Sequence, residues 1–404
     1  MTVTGDVAPA GATSPTWSIG GDLRVGEYGT GTLTIADGGK VSNTTGYIGG
    51  SPSNSTGTVT VSGTDAGGNA STWTNSGALY VGYLGTGTLT VADGGKVTNT
   101  VGYVGYGSNS TGTVTVSGTD AGGNASTWAN SGFLSVGNYG TGTLTIANGG
   151  KVTNTDGYVG RYADSTGTVT VSGTDASGNA STLTNFGELF VGASGTGTLA
   201  IADGGSVTNA IGYIGRYAGS TGTVTVSGTD ASGNASTWTN SDSLYVGVYD
   251  TGTLTVADGG KVRNTTGYVG WNGGSTGTVT VSGTDAGGNA STWTNSGALN
   301  VGGSGTGTLT VADGGKVTNT TGYIGRYADS TGTVTVSGAD ASGNASTWAN
   351  SGELFVGFIG TGTLNIEGGG KVTNTDGYIG STSNSTGTVT VSGTDANGSA
   401  PVPR

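Results

Sequence analysis

The sequence predicts an all-β fold: a right-handed parallel β-helix (β-solenoid) of about fourteen three-stranded coils, arranged as seven 55-residue double repeats. Three observations lead there. First, the string Thr-Gly-Thr-Leu begins at Thr30, Thr86, Thr141, Thr196, Thr251, Thr306 and Thr361, and Thr-Gly-Thr-Val begins at Thr56, Thr111, Thr166, Thr221, Thr276, Thr331 and Thr386. After a first step of 56, each series recurs every 55 residues, so the period splits into a short half of about 25 and a long half of about 30. Second, both halves hold three short β-like runs separated by Gly, Asn, Asp and Ser, the residues that suit turns. Third, no window has the apolar spacing of a helix.

The first run of each half is Thr-Gly-Thr-Leu/Val-Thr-Val/Ile. Alternation puts Leu33 and Ile35 on one face and Thr30, Thr32 and Thr34 on the other, so the apolar pair points inward. The second run is Val-Thr-Asn in short halves and Trp-Thr-Asn in long ones. Val41 and Asn43 point in, as do Trp73 and Asn75. The third run is Gly-Tyr-Val-Gly or Leu-Tyr-Val-Gly. Ile48, Leu79 and Val81 point in, with Tyr47 and Tyr80 out. A half-repeat with three strands is one coil, and each strand pairs with its counterpart one coil away, about 4.8 Å distant. Fourteen such coils predict a rod about 70 Å long, wound right-handed as parallel crossovers are. A β-propeller accommodates units of this length, but a four-stranded blade has no reason to repeat its own sequence after three strands.

Stacked coils create ladders. The inner one alternates Val41, Trp73, Val97, Trp128 and Val152, with Leu183 in place of one Trp and with Trp238, Trp293 and Trp348 further on. An Asn ladder runs through Asn43, Asn75, Asn99, Asn130, Asn154 and Asn185 and onward to Asn374, its amides placed to bond along the axis. The structural reading of these Asn residues is preferred, because buried polar groups need partners. Three segments follow: a partial N-terminal coil over 1–29, a continuous β-helix over 30–395 and a tail or linker over 396–404. Thr2 to Trp17 aligns with the end of a long half-repeat, and no end cap is evident. That pattern predicts a piece of a longer repeat protein, or ends covered by partners.

Composition narrows function. The 404 residues include 88 Gly, no Cys and no His, so thiol and imidazole chemistry are excluded. The loop and turn carboxylates recur from repeat to repeat, and no coil gathers the unique carboxylate cluster of a hydrolase or lyase, so no enzyme is expected. A net charge of −12 argues against nucleic acid and anionic lipid. No apolar stretch approaches the roughly 18 residues of a membrane span, so this segment is expected not to insert. Met1 is followed by neither a basic start nor an apolar run.

The unit GxLxVGxxGTGTLTVADGGKVTNTxGYVGxxxxSTGTVTVSGTDAxGNASTWTNS resembles the repeat associated with type V secretion autotransporters, also found in surface proteins with other sorting signals. The resemblance covers nearly the whole chain, seven times over. It implies a β-helical passenger region at a bacterial, Gram-negative cell surface, secreted and often adhesive. It also implies an outer-membrane β-barrel elsewhere in the full-length protein. It supplies no catalytic residues.

Three surfaces are candidates for binding. An outward aromatic column comprises Tyr47, Tyr80, Tyr103, Tyr158, Tyr213, Tyr245, Tyr268, Tyr323 and Tyr378, with Ser135, Phe190, Asn300 and Phe355 in the same register. Exposed rings at coil spacing suit a glycan or a protein partner; stacked rings also stabilise their own strands. A second, variable group lies just beyond the third strand: Tyr106, Arg161-Tyr162, Arg216-Tyr217, Trp271 and Arg326-Tyr327. The Thr face is the next candidate. Its regular ranks resemble those of ice-binding β-solenoids, with Ala200 and Asn365 as interruptions. The third is a column of loop carboxylates, Asp65, Asp120, Asp175, Asp230, Asp285 and Asp340, with Asp395 in series. Ca²⁺ is the cation it would share, although one Asp and one Asn per loop also suits an Asx turn; no other cofactor is expected. The expected function is an extracellular surface adhesin or stalk for attachment to a cell, a host or a biofilm. Its partners would be host-cell or matrix glycans and proteins, or like molecules on neighbouring cells. The alternative is a specific glycan- or ice-binding solenoid acting through the Tyr or Thr ladders.

Overall fold

A computed structural model describes residues 1–9, 14–51 and 54–394 and the strand at 402–403. The fold is a parallel β-solenoid of about fourteen turns with three sheets and no helix among these residues. The first complete coils show the plan. Strand β5 (Thr30–Ala36), β6 (Lys40–Asn43) and β7 (Gly46–Ile48) make a short coil; β8 (Thr56–Ser62), β9 (Thr72–Asn75) and β10 (Leu79–Val81) make the long coil that follows. β5 pairs in parallel with β8, β6 with β9 and β7 with β10, like residue on like residue. The seven-residue strands alternate as the sequence pattern requires: Leu33, Ile35, Val59 and Val61 are fully buried, and the Thr residues between them are half-exposed.

Contacts group the chain into two compact units, residues 1–200 with 205–208, and residues 201–204 with 209–404. In the first unit, Val41, Trp73, Val97, Trp128, Val152 and Leu183 stack as inward neighbours on the second sheet. The indoles need room, and the short coils provide it. A Cβ added at Gly102 would lie 2.8 Å from the Trp128 ring and 2.4 Å from Asn130 Oδ1. Large side chains of long coils therefore occupy space left by glycine in short ones. A corner glycine has a different reason: Gly82 has φ of 72°, and its missing Cβ would stand 2.3 Å from the Thr111 carbonyl oxygen of the next coil. A column of fully buried serines, Ser71, Ser126 and Ser181, accepts N–H donations from Gly38, Gly94 and Gly149 at the turns. In the second unit the same plan holds, with Trp238, Trp293 and Trp348 fully buried beside Val262 and Val317.

The N-terminal residues depart from the expected partial coil. Strand β1 (Thr2–Gly5) runs antiparallel to β5, and β2 (Val7–Ala8) antiparallel to β4 (Leu23–Val25). β3 (Thr16–Ser18) pairs in parallel with β6, and β4 in parallel with β7. The reversal covers the β5 edge, so this end carries a cap that the sequence pattern does not display. In the second unit, the coil around residues 377–392 is open. A cavity of about 140 Å³ is lined by Leu354, Val356, Leu364, Ile366, Val372 and Val389, and Ile379 is 60% exposed. Asp395 and the expected tail from 396 lie outside the described residues, apart from a strand at Val402–Pro403 paired with Lys371 and Val372.

Candidate binding surfaces

The Asn ladder, whose amides the sequence places to bond along the axis, is a series of linked pairs. Trp73 Nε1 donates to Asn43 Oδ1 at 2.6 Å, and Asn43 Nδ2 donates to Asn75 Oδ1 at 2.8 Å. Asn75 Nδ2 then turns to the Thr98 carbonyl at 3.4 Å. The indole takes the acceptor that a continuous chain would have used. The same unit recurs at Trp128, Asn99 and Asn130. In the second unit it recurs at Trp293, Asn264 and Asn295, and at Trp348, Asn319 and Asn350. At Leu183 the indole is missing. Asn154 still donates to Asn185 at 2.6 Å, but its buried Oδ1 has no partner among the described residues.

The third-strand rings form columns, and they lean on one another. Tyr47 stacks on Tyr80 at 5.1 Å between centroids, and Tyr80 on Tyr103 at 4.9 Å. Tyr158 stacks on Phe190 at 4.9 Å. In the second unit, Tyr213, Tyr245 and Tyr268 stack at 5.1 and 4.5 Å, and Tyr323, Phe355 and Tyr378 at 5.1 and 4.7 Å. The rings point out of the sheet, as alternation requires, yet most are half-buried and Tyr213 is only 6% exposed. Tyr378 is exposed. The expectation of an exposed Tyr face is thus corrected: at Tyr80, Tyr158, Tyr213 and Tyr323 a second tier of side chains, three residues further along the coil or in a neighbouring one, covers the rings. Tyr83 and Tyr106 meet the Tyr80 ring edge-on at 5.2 and 4.9 Å. Arg161 lies 4.5 Å over Tyr158, Arg216 4.1 Å over Tyr213 and Arg326 4.5 Å over Tyr323. Burial, with neighbouring phenols second, raises the Tyr80 and Tyr245 hydroxyls, the latter to about 12.

Two breaks in the columns are repaired differently. Ser135 is fully buried, and the vacant ring position is taken by Phe133, which meets Tyr103 and Tyr158 edge-on at 5.5 and 5.8 Å. Asn300 is also fully buried; there Arg326 reaches in and donates from Nη1 to Asn300 Oδ1 at 2.5 Å. Trp271 then closes over Gly303 to meet Tyr327 edge-on at 5.8 Å. The coil at Asn300 therefore carries a local cluster that the regularity of the repeats conceals.

Accessible rings lie one position further out. Tyr139 and Tyr162 are 46% and 37% exposed and stack at 4.3 Å. Tyr217, Tyr249 and Tyr327 are exposed in the second unit. The sequence pattern singles out the short-coil members Tyr162, Tyr217 and Tyr327 but misses the long-coil members Tyr139 and Tyr249. Their signal was the matching fourth residue after each third-strand ring position.

Thr ranks on the long strands align in register, as in Thr88 beside Thr58 and Thr113, with Asn365 beside Thr335. The loop carboxylates have an internal task. Asp65 Oδ1 accepts from the N–H groups of Gly67 and Asn69 at 2.8 and 2.9 Å, and Oδ2 accepts from Asn69 Nδ2 at 2.9 Å. Asp120, Asp175, Asp230, Asp285 and Asp340 repeat these contacts. The Asn amide, foremost, holds Asp65, Asp120, Asp175, Asp285 and Asp340 below the usual carboxylate range. Among the described residues no three His, Cys, Asp or Glu side chains gather in the way a metal ion needs.

No family model matches the chain, and no curated protein sequence matches it. Among solved structures, it is similar to the crystal structure of a TibC-catalyzed hyper-glycosylated TibA55-350 fragment, with a TM-score of 0.49 and 19% identity over 96% of this chain and 99% of that one.

Proposed function

We propose that this chain is a non-catalytic, adhesive stalk segment of a bacterial surface protein, and that it makes contact through the aromatic and arginine edge beyond the third strands. The repeat's resemblance to autotransporter passengers supports the surface location. The observation that carries the binding assignment is where the variation lies. Interior ladders repeat with little change, whereas the outer edge changes from coil to coil and leaves Tyr139, Tyr162, Tyr217, Tyr249 and Tyr327 exposed. Exposed Tyr beside Arg suits carbohydrate or protein partners, because both residues bring large contact area with hydrogen-bonding tips. The thermal midpoint should hold in a variant with these five tyrosines changed to Ser, and attachment of protein-coated beads to target cells should fall at least about tenfold, or roughly 1.4 kcal/mol. Undiminished attachment would remove the edge as the contact surface. A second reading draws on the in-register Thr ranks: an ice-binding face would give thermal hysteresis that Thr88→Val and Thr113→Val alter.

A further inference from the structure

Asparagine is a chemically labile residue, most of all before glycine, where no side chain shields the next amide nitrogen from the asparagine Cγ. The sequence holds three such pairs, Asn148-Gly149, Asn272-Gly273 and Asn397-Gly398, of which the third lies outside the described residues. The two described pairs sit in different kinds of turn. Asn148 takes the place that aspartate holds in the corresponding turns at Asp37, Asp93, Asp203, Asp258 and Asp313. Its glycine is locked. Gly149 is buried, and its N–H donates to the fully buried Ser181 Oγ at 3.0 Å. A Cβ added at Gly149 would lie 2.7 Å from that of Asp175, so the turn has little room to rearrange.

Asn272-Gly273 is open. It begins the turn Asn272-Gly273-Gly274-Ser275, which follows Trp271 and is closed by the Ser275 N–H donating to the Asn272 carbonyl at 3.1 Å. Corresponding turns start with Tyr162, Tyr217 and Tyr327, so asparagine at this place is a local departure. Gly273 is exposed, and its N–H meets no acceptor among the described residues. A Cβ built on it would meet nothing within 4 Å. The Asn272 side-chain amide likewise has no hydrogen bond among the described residues; only its main-chain carbonyl is engaged, by the Ser275 N–H and hydroxyl. The nucleophilic nitrogen and the amide carbon it would attack are therefore both free to approach, whereas at Asn148 the nitrogen is held away by a buried bond.

We propose that Asn272 is a site of spontaneous deamidation, and that the fold protects Asn148 from the same reaction. The Gly273 nitrogen attacks Asn272 Cγ. A C–N bond forms and closes a cyclic imide, the Cγ–Nδ2 bond breaks, and Nδ2 leaves as ammonia with the proton that the backbone nitrogen gives up. Water, the only co-reactant, then opens the imide. Attack at Cγ leaves aspartate at position 272; attack at the main-chain carbonyl carbon leaves isoaspartate, with the chain running through the side-chain methylene. Either product puts a new carboxylate next to Trp271, whose ring lies over Gly303 and meets Tyr327 edge-on at 5.8 Å. The isoaspartyl product also lengthens a turn whose Asn272 carbonyl packs against Gly305 of the next coil. The outer edge at this coil thus changes with the age of the protein, and the assignment stands whether or not that edge makes contact.

The test holds the full chain in warm, mildly alkaline buffer and follows it by peptide mapping. Mass gain locates deamidation, and labelling by protein isoaspartyl methyltransferase marks isoaspartate. Product should accumulate at Asn272 at least about fivefold faster than at Asn148, the worth of one hydrogen bond. In concentrated urea, which removes the fold, the two pairs should react at similar rates. Gly273→Ala adds a methyl where there is room and should suppress the reaction at Asn272 with the thermal midpoint held or raised. Ser181→Ala frees the Gly149 N–H and should speed the reaction at Asn148. Folded wild type that forms no product at Asn272, or forms it no faster than at Asn148, overturns the proposal.

Discussion

Two neighbouring long coils of the first unit, one built on Trp128 and the other on Leu183, differ at one core side chain and show what that side chain does. Around Trp128 the indole fills the core, and its N–H meets Asn99 Oδ1 at 2.7 Å, so the Asn99–Asn130 pair has its acceptor engaged. Around Leu183 the Asn154–Asn185 pair remains, but Asn154 Oδ1 is buried without a donor. A residual cavity of about 10 Å³ touches Leu183, Leu189 and Asn154, close to the room one water needs. Gly157 keeps the space that its equivalents Gly46 and Gly102 leave for an indole. The Leu183 coil is therefore a Trp coil with its filling removed: the backbone register survives, and the hydrogen-bond chain is cut at one link. Register comes from stacking and ladder bonds, whereas tight core packing depends on the indole.

The largest expected effect reproduces this defect where it does not exist. Trp128→Leu loses indole packing and strands Asn99 Oδ1, at a combined cost of about 3 kcal/mol. Solenoid stability is set coil by coil, so amide exchange at residues 127–130 should accelerate more than exchange at distant coils. Exchange unchanged at those residues would break the comparison. The reverse substitution has a smaller effect of opposite sign. Leu183→Trp supplies the donor that Asn154 lacks and fills the cavity, for a gain of about 1 kcal/mol after some repacking. Slower exchange at residues 182–185 is the expected reading. Faster exchange would mean that the walls around Leu183 have closed beyond reopening.

Much of this plan is legible in the sequence, for physical reasons that also mark where legibility ends. Alternation in Thr-Gly-Thr-Leu-Thr-Ile assigns the sides of β5 because a strand has a period of two. The same alternation carries no direction. Thr2-Val3-Thr4-Gly5 matches Thr34-Leu33-Thr32-Gly31 when read backwards, so β1 can reverse without disturbing either face. Alternation also states which way Tyr213 points but not what lies over it; Arg216 comes from beyond the strand, where no period applies. The substitution at Ser135 is visible as a gap, and its remedy, Phe133, stands two residues earlier on the same side of the strand.

The smallest effect sharpens the comparison by removing the amides themselves. Asn99 takes part in two side-chain bonds, accepting from Trp128 and donating to Asn130; Asn154 takes part in one, to Asn185. Asn99→Ala should therefore destabilise its coil more than Asn154→Ala, by about 1 kcal/mol, because it leaves a buried indole N–H as well as a buried amide oxygen unpaired. Equal losses would mean that the indole contributes by its volume alone. Coupling separates the two contributions: in a cycle with Trp128→Leu, Asn99→Ala should lose most of its excess cost, since the bond it breaks has already gone. Leu183→Trp should do the converse at Asn154 and raise the cost of Asn154→Ala toward that of Asn99→Ala. A cost for Asn154→Ala that stays the same with and without the introduced indole would show that a Trp N–H placed there does not reach the amide.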